Sequence, residues 1–167
     1  LKFFYITIFL FLFFPYSLSE DGNKIISGKA IVIDGDTIKI KGASIRLFGI
    51  DAPEKKQICY KDNRPYNCGH VSTKFLKSLI NDTIKVDCYY KNKDRYKRII
   101  ARCFSNINKK KERLNLNYMM VRNGHAIDYK RYSKGEYSQA ENIAKKERVG
   151  IWSGKFERPE DWRRKYK

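Results

Sequence analysis

A small closed β-barrel carrying helices is the fold class that this 167-residue sequence predicts, and three observations carry that prediction. Three short apolar runs follow one another between residues 30 and 48, separated only by turn signals. An amphipathic stretch at helical spacing comes next, over 69–80. Two more alternating runs follow, over 83–88 and 98–104. The order β-β-β-α-β-β, with further helices after it, is that of a five-stranded OB-fold barrel with about three helices, an α+β architecture.

Each element has a local reason. Residues 30–33 are a continuous apolar run, and Asp34-Gly35-Asp36 is a strong turn signal. Residues 37–40 alternate with period two before Lys41-Gly42 reverses the chain. In 44–48, Ile45 and Leu47 share one face while Arg46 lies on the other, and Pro53 stops any further ladder. The polar stretch 54–67 reads as an irregular surface loop. In 69–80, Val71, Phe75, Leu76 and Leu79 form the apolar stripe of a helix. A basic connection, 91–97, joins the fourth and fifth strands. Helices are expected over 114–123, closed by Gly124, and over 137–148, stopped by Gly150. Trp152 and Trp162 are expected to pack on the core.

Residues 1–19 are expected to be an export leader, with Lys2 at its start, an apolar run over 3–14, Pro15, and small residues at 17 and 19. That run is shorter than the roughly 20 residues a membrane-spanning helix needs. The organisation expected is therefore a leader over 1–19, a short lead-in over 20–27, one domain over 28–153 and a basic tail over 154–167. The localisation expected is the periplasm or the outside medium, with no stable membrane association after cleavage, and the protein is expected to be a monomer. Four cysteines permit three pairings. No C-x-x-C pair occurs, which disfavours zinc. A hairpin would bring Cys88 to Cys103, and Cys59 with Cys68 would close a short loop, so both disulfides are predicted.

Lysine and arginine number 36 against 18 acidic residues, a net charge of +18 that draws in polyanions, nucleic acid foremost. Within this basic chain, Asp34, Asp36, Asp51 and Glu54 gather in the stretch IDGDTIKIKGASIRLFGIDAPE, with Arg46 among them. A barrel could bring Asp36 and Asp51 to one rim. Such oxygen ligands suit Ca²⁺ better than zinc. The two histidines, His70 and His125, have no partner at ligand spacing, which argues against histidine-based chemistry.

That stretch closely resembles the first half of staphylococcal nuclease-like (thermonuclease) domains. DRYKRIIARCF, LNYMMVRNGHA and ERVGIWSG resemble later blocks of the family in the same order, so the resemblance covers about residues 28–162. The resemblance implies that Asp36 and Asp51 ligate calcium, with Ala52 contributing its backbone carbonyl. It implies that Glu54 is the general base acting through water near the metal, and that Arg46 and Arg98 grip the scissile phosphate. Arg95, Tyr96, Tyr129 and Tyr132 fall where the family contacts substrate, the two later tyrosines one residue out of register. Asp34 would order water around the metal, or simply shape the turn. Lys97 stands where most relatives have glycine, a departure that carries a strain cost if the position needs positive φ.

The expectation is a calcium-dependent hydrolase of DNA and RNA with little sequence preference, leaving 3′-phosphate products. Few protein ligands imply a calcium affinity of about 10⁻⁴ to 10⁻³ M. The alternatives are an exported OB-fold module that binds nucleic acid without catalysis, and a binder of acidic polysaccharide, for which basic charge alone would suffice.

Overall fold

A closed barrel of five strands forms the body of the computed structural model, which describes residues 24–80, 85–106 and 113–166. The expected leader over 1–19 lies outside the described residues. Strands β1 (Lys24–Val32), β2 (Thr37–Ile40) and β3 (Ala43–Leu47) form an antiparallel meander, with Val32 opposite Ile38 and Ile38 opposite Ile45. After a two-residue strand β4 (Ile50–Asp51), a hairpin of β5 (Ile58–Lys61) and β6 (Arg64–Asn67) leads into helix α1 (Cys68–Leu79). Strands β7 (Lys85–Lys93) and β8 (Ile99–Asn106) pair antiparallel, and β7 also pairs with β1. Parallel pairing of β3 with β8, Arg46 opposite Ile100, closes the barrel.

The remaining chain caps this barrel. It comprises β9 (Arg113–Asn115), α2 (Leu116–Arg122), β10 (Ile127–Asp128), α3 (Lys130–Ser133), α4 (Ser138–Glu147), a 3₁₀ turn over Gly150–Ser153 and α5 (Pro159–Tyr166). The predicted five-stranded α+β barrel is thus the observed one, with five α-helices among the described residues in place of about three.

The alternation read from the sequence sets the core. Ile38 and Ile40 of β2, Ile45 and Leu47 of β3, Val86 of β7 and Ala101 of β8 point inward and are buried, while Lys39 between them is exposed. Asn67 and Asn115 cap α1 and α2 by accepting from the backbone N–H of His70 and Tyr118. Both predicted disulfides, Cys59–Cys68 and Cys88–Cys103, are present. Cys88 and Cys103 face each other directly across the β7–β8 ladder.

Five expectations are corrected. The stretch 54–67 is not irregular throughout: its end is the β5–β6 hairpin, whose polar composition reflects its largely exposed side chains. Strand β1 reaches back to Lys24, so residues 24–27 belong to the barrel rather than to a lead-in, held by β7. In α1, Val71 is 40% exposed while Ser72 and Thr73 are buried. There the start of the helix is fixed by the disulfide and by Gly69, where an added Cβ would lie 1.8 Å from the Glu54 carbonyl oxygen. Finally, 154–167 is not simply a basic tail. Trp152 packs with Phe156 in a small second core, but Trp162 stacks beside Tyr166 on α5, lining a surface groove instead of the core.

Candidate active site

The acidic rim begins with the Asp34-Gly35-Asp36 turn between β1 and β2. An Asp34 Oδ1 oxygen accepts the Asp36 backbone N–H at 3.1 Å, which holds the turn. Only glycine fits at 35, since a Cβ there would come within 2.6 Å of the Ala52 Cβ. That close approach lets Asp36 Oδ2 accept the backbone N–H of Ala52 at 3.1 Å, tying the two carboxylate-bearing segments together. Asp51 is fixed from the other side, because β4 pairs with β10, Asp51 opposite Ile127.

Arg46 projects from β3 between the two aspartates. Its Nη1 donates to Asp36 Oδ1 at 2.7 Å and its Nη2 to Asp51 Oδ1 at 2.9 Å. Asp36 is 4% exposed and Asp51 fully buried, so each needs this neutralisation. Burial works against charge on Arg46, yet the Asp36 and Asp51 carboxylates more than offset it and raise its pKa. Burial likewise lifts the Asp51 carboxyl above its ordinary range, opposed by its hydrogen bonds from arginine. Burial, and then the nearby Asp36 charge, push Asp34 up to about 6.

A residue that sequence reasoning missed completes the network. Arg163, on α5, donates from Nη1 to Asp51 Oδ1 and Glu54 Oε1 and from Nη2 to Asp51 Oδ2, each at 2.9 Å. Burial disfavours its charge, but the bonds to Asp51 and Glu54 raise its pKa well above the usual arginine value. Gln57, also missed, is fully buried and clasps the same region. Its Oε1 accepts the Glu54 backbone N–H at 3.1 Å, and its Nε2 donates to the Glu157 carbonyl at 2.7 Å. The available sequence signal was a short helix start at Pro159, with acids in its first turn and arginines in its last.

The structure therefore brings Asp34, Asp36, Arg46, Asp51, Ala52 and Glu54 together on one rim. Arg98 sits one residue before β8, the strand that lies beside Arg46, but its side chain is engaged elsewhere. Its Nε and Nη2 both bond Asp94 Oδ2 at 2.8 Å. Asp94 also accepts the backbone N–H groups of Tyr96 and Arg98, so one carboxylate organises the whole turn. Arg95 lies over the Tyr96 ring, which is 64% exposed. Lys97 takes the left-handed conformation, φ 64°, that the family's glycine would favour. Tyr129 and Tyr132 form an edge-to-face pair 4.8 Å apart, and the Tyr129 hydroxyl's pKa is raised by burial and by Glu160.

Among the described residues, no three His, Cys, Asp or Glu side chains converge directly on one metal-sized point. What converges is carboxylate oxygen around a guanidinium: both Asp51 oxygens and Glu54 Oε1 surround Arg163. Oxygen donors of this kind, already gathered about a positive charge, fit a hard cation such as Ca²⁺.

Comparison with known proteins identifies similar chains. Residues 44–154 match the family model described as staphylococcal nuclease homologue. A succinoglycan biosynthesis protein of Rhizobium meliloti (strain 1021) is 35% identical over 128 residues, covering 76% of this chain and 64% of that protein. An uncharacterized endonuclease of Escherichia coli is 34% identical over 155 residues and 89% of each chain. A probable staphylococcal-like nuclease of Oryza sativa subsp. japonica is 33% identical over 150 residues. Those residues are 89% of this chain but 35% of the plant protein.

Proposed function

This chain belongs to the staphylococcal nuclease homologue family, and on that premise we propose that it is an exported, calcium-dependent nuclease hydrolysing the phosphodiester bonds of DNA and RNA. The observation that carries the reading is the rim itself. Two buried aspartates share Arg46, and Glu54 joins Asp51 on Arg163, beside the strand that Arg98 precedes. The relatives named as nucleases support the reaction class, and the net charge of +18 supports a polyanionic substrate.

Asp36 and Asp51, with the Ala52 carbonyl and a water on Glu54, would hold the calcium ion. When bound, it supplies positive charge against the phosphate oxygens and helps to orient the group. Arg46 then binds the scissile phosphate with hydrogen bonds that strengthen as charge builds in the transition state, and Arg98 takes the opposite side. Both must be arginine, because a lysine cannot donate in the paired, planar fashion a phosphate accepts. Glu54 removes the proton of the attacking water, and its placement is set by Gln57 holding its backbone N–H. The 5′-oxygen leaves, so the products carry 3′-phosphates.

The test is digestion of single-stranded DNA and of RNA with calcium and again with a chelator. Cleavage that requires calcium is the expected result. Absence of cleavage in both conditions would return the chain to the reading of a binding module, and equal cleavage in both would remove calcium from the mechanism.

A further inference from the structure

The position of Arg163 carries a consequence for how the site is loaded. Three carboxylate oxygens from two residues point at a single cationic group. Asp51 uses both of its oxygens on that group, and the one it shares with Arg46 is thereby doubly engaged. We propose that Arg163 is an internal competitor for the metal: its guanidinium holds the cation position between Asp51 and Glu54, and a divalent cation binds only as Arg163 leaves. The proposal rests on the reading that calcium binds at this rim.

The argument is electrostatic and steric. A guanidinium 2.9 Å from both Asp51 oxygens and from Glu54 Oε1 leaves no room for a cation that must touch Asp51 at about 2.3–2.6 Å, or for the water that Glu54 would hold between itself and that cation. The site also already contains Arg46, whose charge Arg163 opposes. Adding a divalent ion while Arg163 remains would set that ion directly against a guanidinium on the same Asp51 oxygens in a partly buried space, an arrangement that mutual repulsion disfavours.

The arginine that can depart is identifiable. Arg46 projects from a central barrel strand paired on both sides. Arg163 comes from an eight-residue helix near the chain's end, whose neighbouring residues Arg164 and Lys165 are on an exposed face. The segment leading into that helix is fastened independently of Arg163 to the β5–β6 hairpin and the residue before it, by the Tyr60–Lys155 backbone pair and the Gln57 bond to Glu157. A change of side-chain rotamer can therefore release the arginine without unfolding the helix. Because calcium would bind only the released state, the apparent affinity is the intrinsic one reduced by the released fraction.

The test measures calcium binding, with no substrate present, by titration calorimetry on the full chain and on three variants. Arg163→Gln should bind calcium about tenfold more tightly than the native chain, and calcium should raise its thermal midpoint further. Arg163→Lys keeps the charge but loses the paired hydrogen bonds, and should fall between the two. Arg164→Gln removes one charge from the exposed side of the same helix and should bind as the native chain does. If Arg163→Gln does not fold, Arg163→Lys decides alone: tighter binding supports the competitor, and native affinity overturns it. Equal or weaker binding by a folded Arg163→Gln variant overturns the competitor while leaving calcium at the rim. An equal gain in Arg164→Gln overturns it too, by showing that general charge removal suffices. Absence of calcium binding in all four proteins overturns the calcium reading itself, and the competitor with it.

Discussion

Arg163 and Asp51 are 112 positions apart in the chain and meet through two parallel hydrogen bonds of 2.9 Å. Asp51 is fully buried and receives a third bond from Arg46, so the carboxylate that anchors the acidic rim is enclosed by two guanidinium groups. The arrangement couples helix α5 to the acidic rim of the barrel. It also divides two roles between the arginines, since one joins the rim's aspartates to each other and the other joins the rim to the last helix.

Arg46 should be the more demanding of the two for both stability and chemistry. It bridges Asp36 and Asp51, and its loss leaves two buried carboxylates facing one another. Arg46→Met should therefore destabilise the fold by about 3 kcal/mol, read in urea denaturation at neutral pH. Nuclease activity should fall by about 100-fold or more in the same variant under conditions where it remains folded. A folded Arg46→Met protein with native turnover would remove Arg46 from the phosphate site.

Much of the barrel is legible in the sequence because strand alternation there is unambiguous. Ile38, Ile40, Ile45 and Leu47 can all be buried only in one register, and that register places Asp36 and Arg46 where they are. The β5–β6 hairpin is much less legible. Its Cys59 is its one fully buried residue, so little hydrophobic pattern marks it. Arg163 is illegible for a different reason. Helix α5 is short and strongly charged, and nothing local distinguishes Arg163 from Arg164, which points to solvent and bonds Asp161. Only the tertiary path through Gln57 and Glu157 selects one of them. The Asp94–Arg98 pair is likewise a property of the turn's closure rather than of residue spacing.

The disulfide across the β7–β8 ladder should contribute substantially to stability. Cys88 and Cys103 are both fully buried and are separated by 15 residues. Limiting a loop of that size in the unfolded chain is worth about 3 kcal/mol, so the Cys88→Ala/Cys103→Ala double variant should lose about that much in chemical denaturation. A loss well under 1 kcal/mol would show that the paired strands hold without the bridge.

Acid should weaken the fold partly through His125. Its ring stacks on Phe75 at a centroid distance of 4.0 Å, and burial lowers its pKa to about 4 from an ordinary 6.5. The unfolded chain therefore takes up the proton first as the pH falls. Stability from the neutral ring is fully present above pH 6.5 and is lost as the pH falls towards 4. His125→Leu should abolish that component, about 3 kcal/mol between the two limits, while other groups titrate as before. Parallel stability–pH curves for the native and variant proteins would show that His125 is not protonated differently on unfolding.

Lys97 adopts φ 64° in the turn before β8, where its N–H donates to the Asp94 carbonyl at 2.9 Å. The left-handed conformation costs a side-chain-bearing residue about 1–2 kcal/mol, part of which glycine returns as unfolded-state entropy. Lys97→Gly should thus stabilise the protein by about 0.5–1 kcal/mol, measured by denaturant midpoint. A destabilised variant would mean that the Lys97 side chain contributes contacts worth more than the strain.

Arg98 should behave in the opposite way, with a large effect on turnover and a small one on stability. Its ion pair with Asp94 is partly open to solvent, with side-chain exposures of 28% and 15%, so its net worth to folding should be about 1 kcal/mol or less. Its proposed partner in function is the phosphate, on which it would meet Arg46 across the junction of β3 and β8. Arg98→Ala should therefore lower kcat by about 100-fold with a nearly unchanged denaturation curve. Asp94→Ala should do the reverse in degree. It removes the acceptor for two backbone N–H groups as well as for the guanidinium, so the turn loosens and stability falls by about 1–2 kcal/mol. Because Arg98 would still be present, activity in Asp94→Ala should fall less than in Arg98→Ala. If instead the two variants lose turnover equally, Arg98 serves to shape the turn with Asp94, and the second phosphate contact must come from elsewhere on the rim.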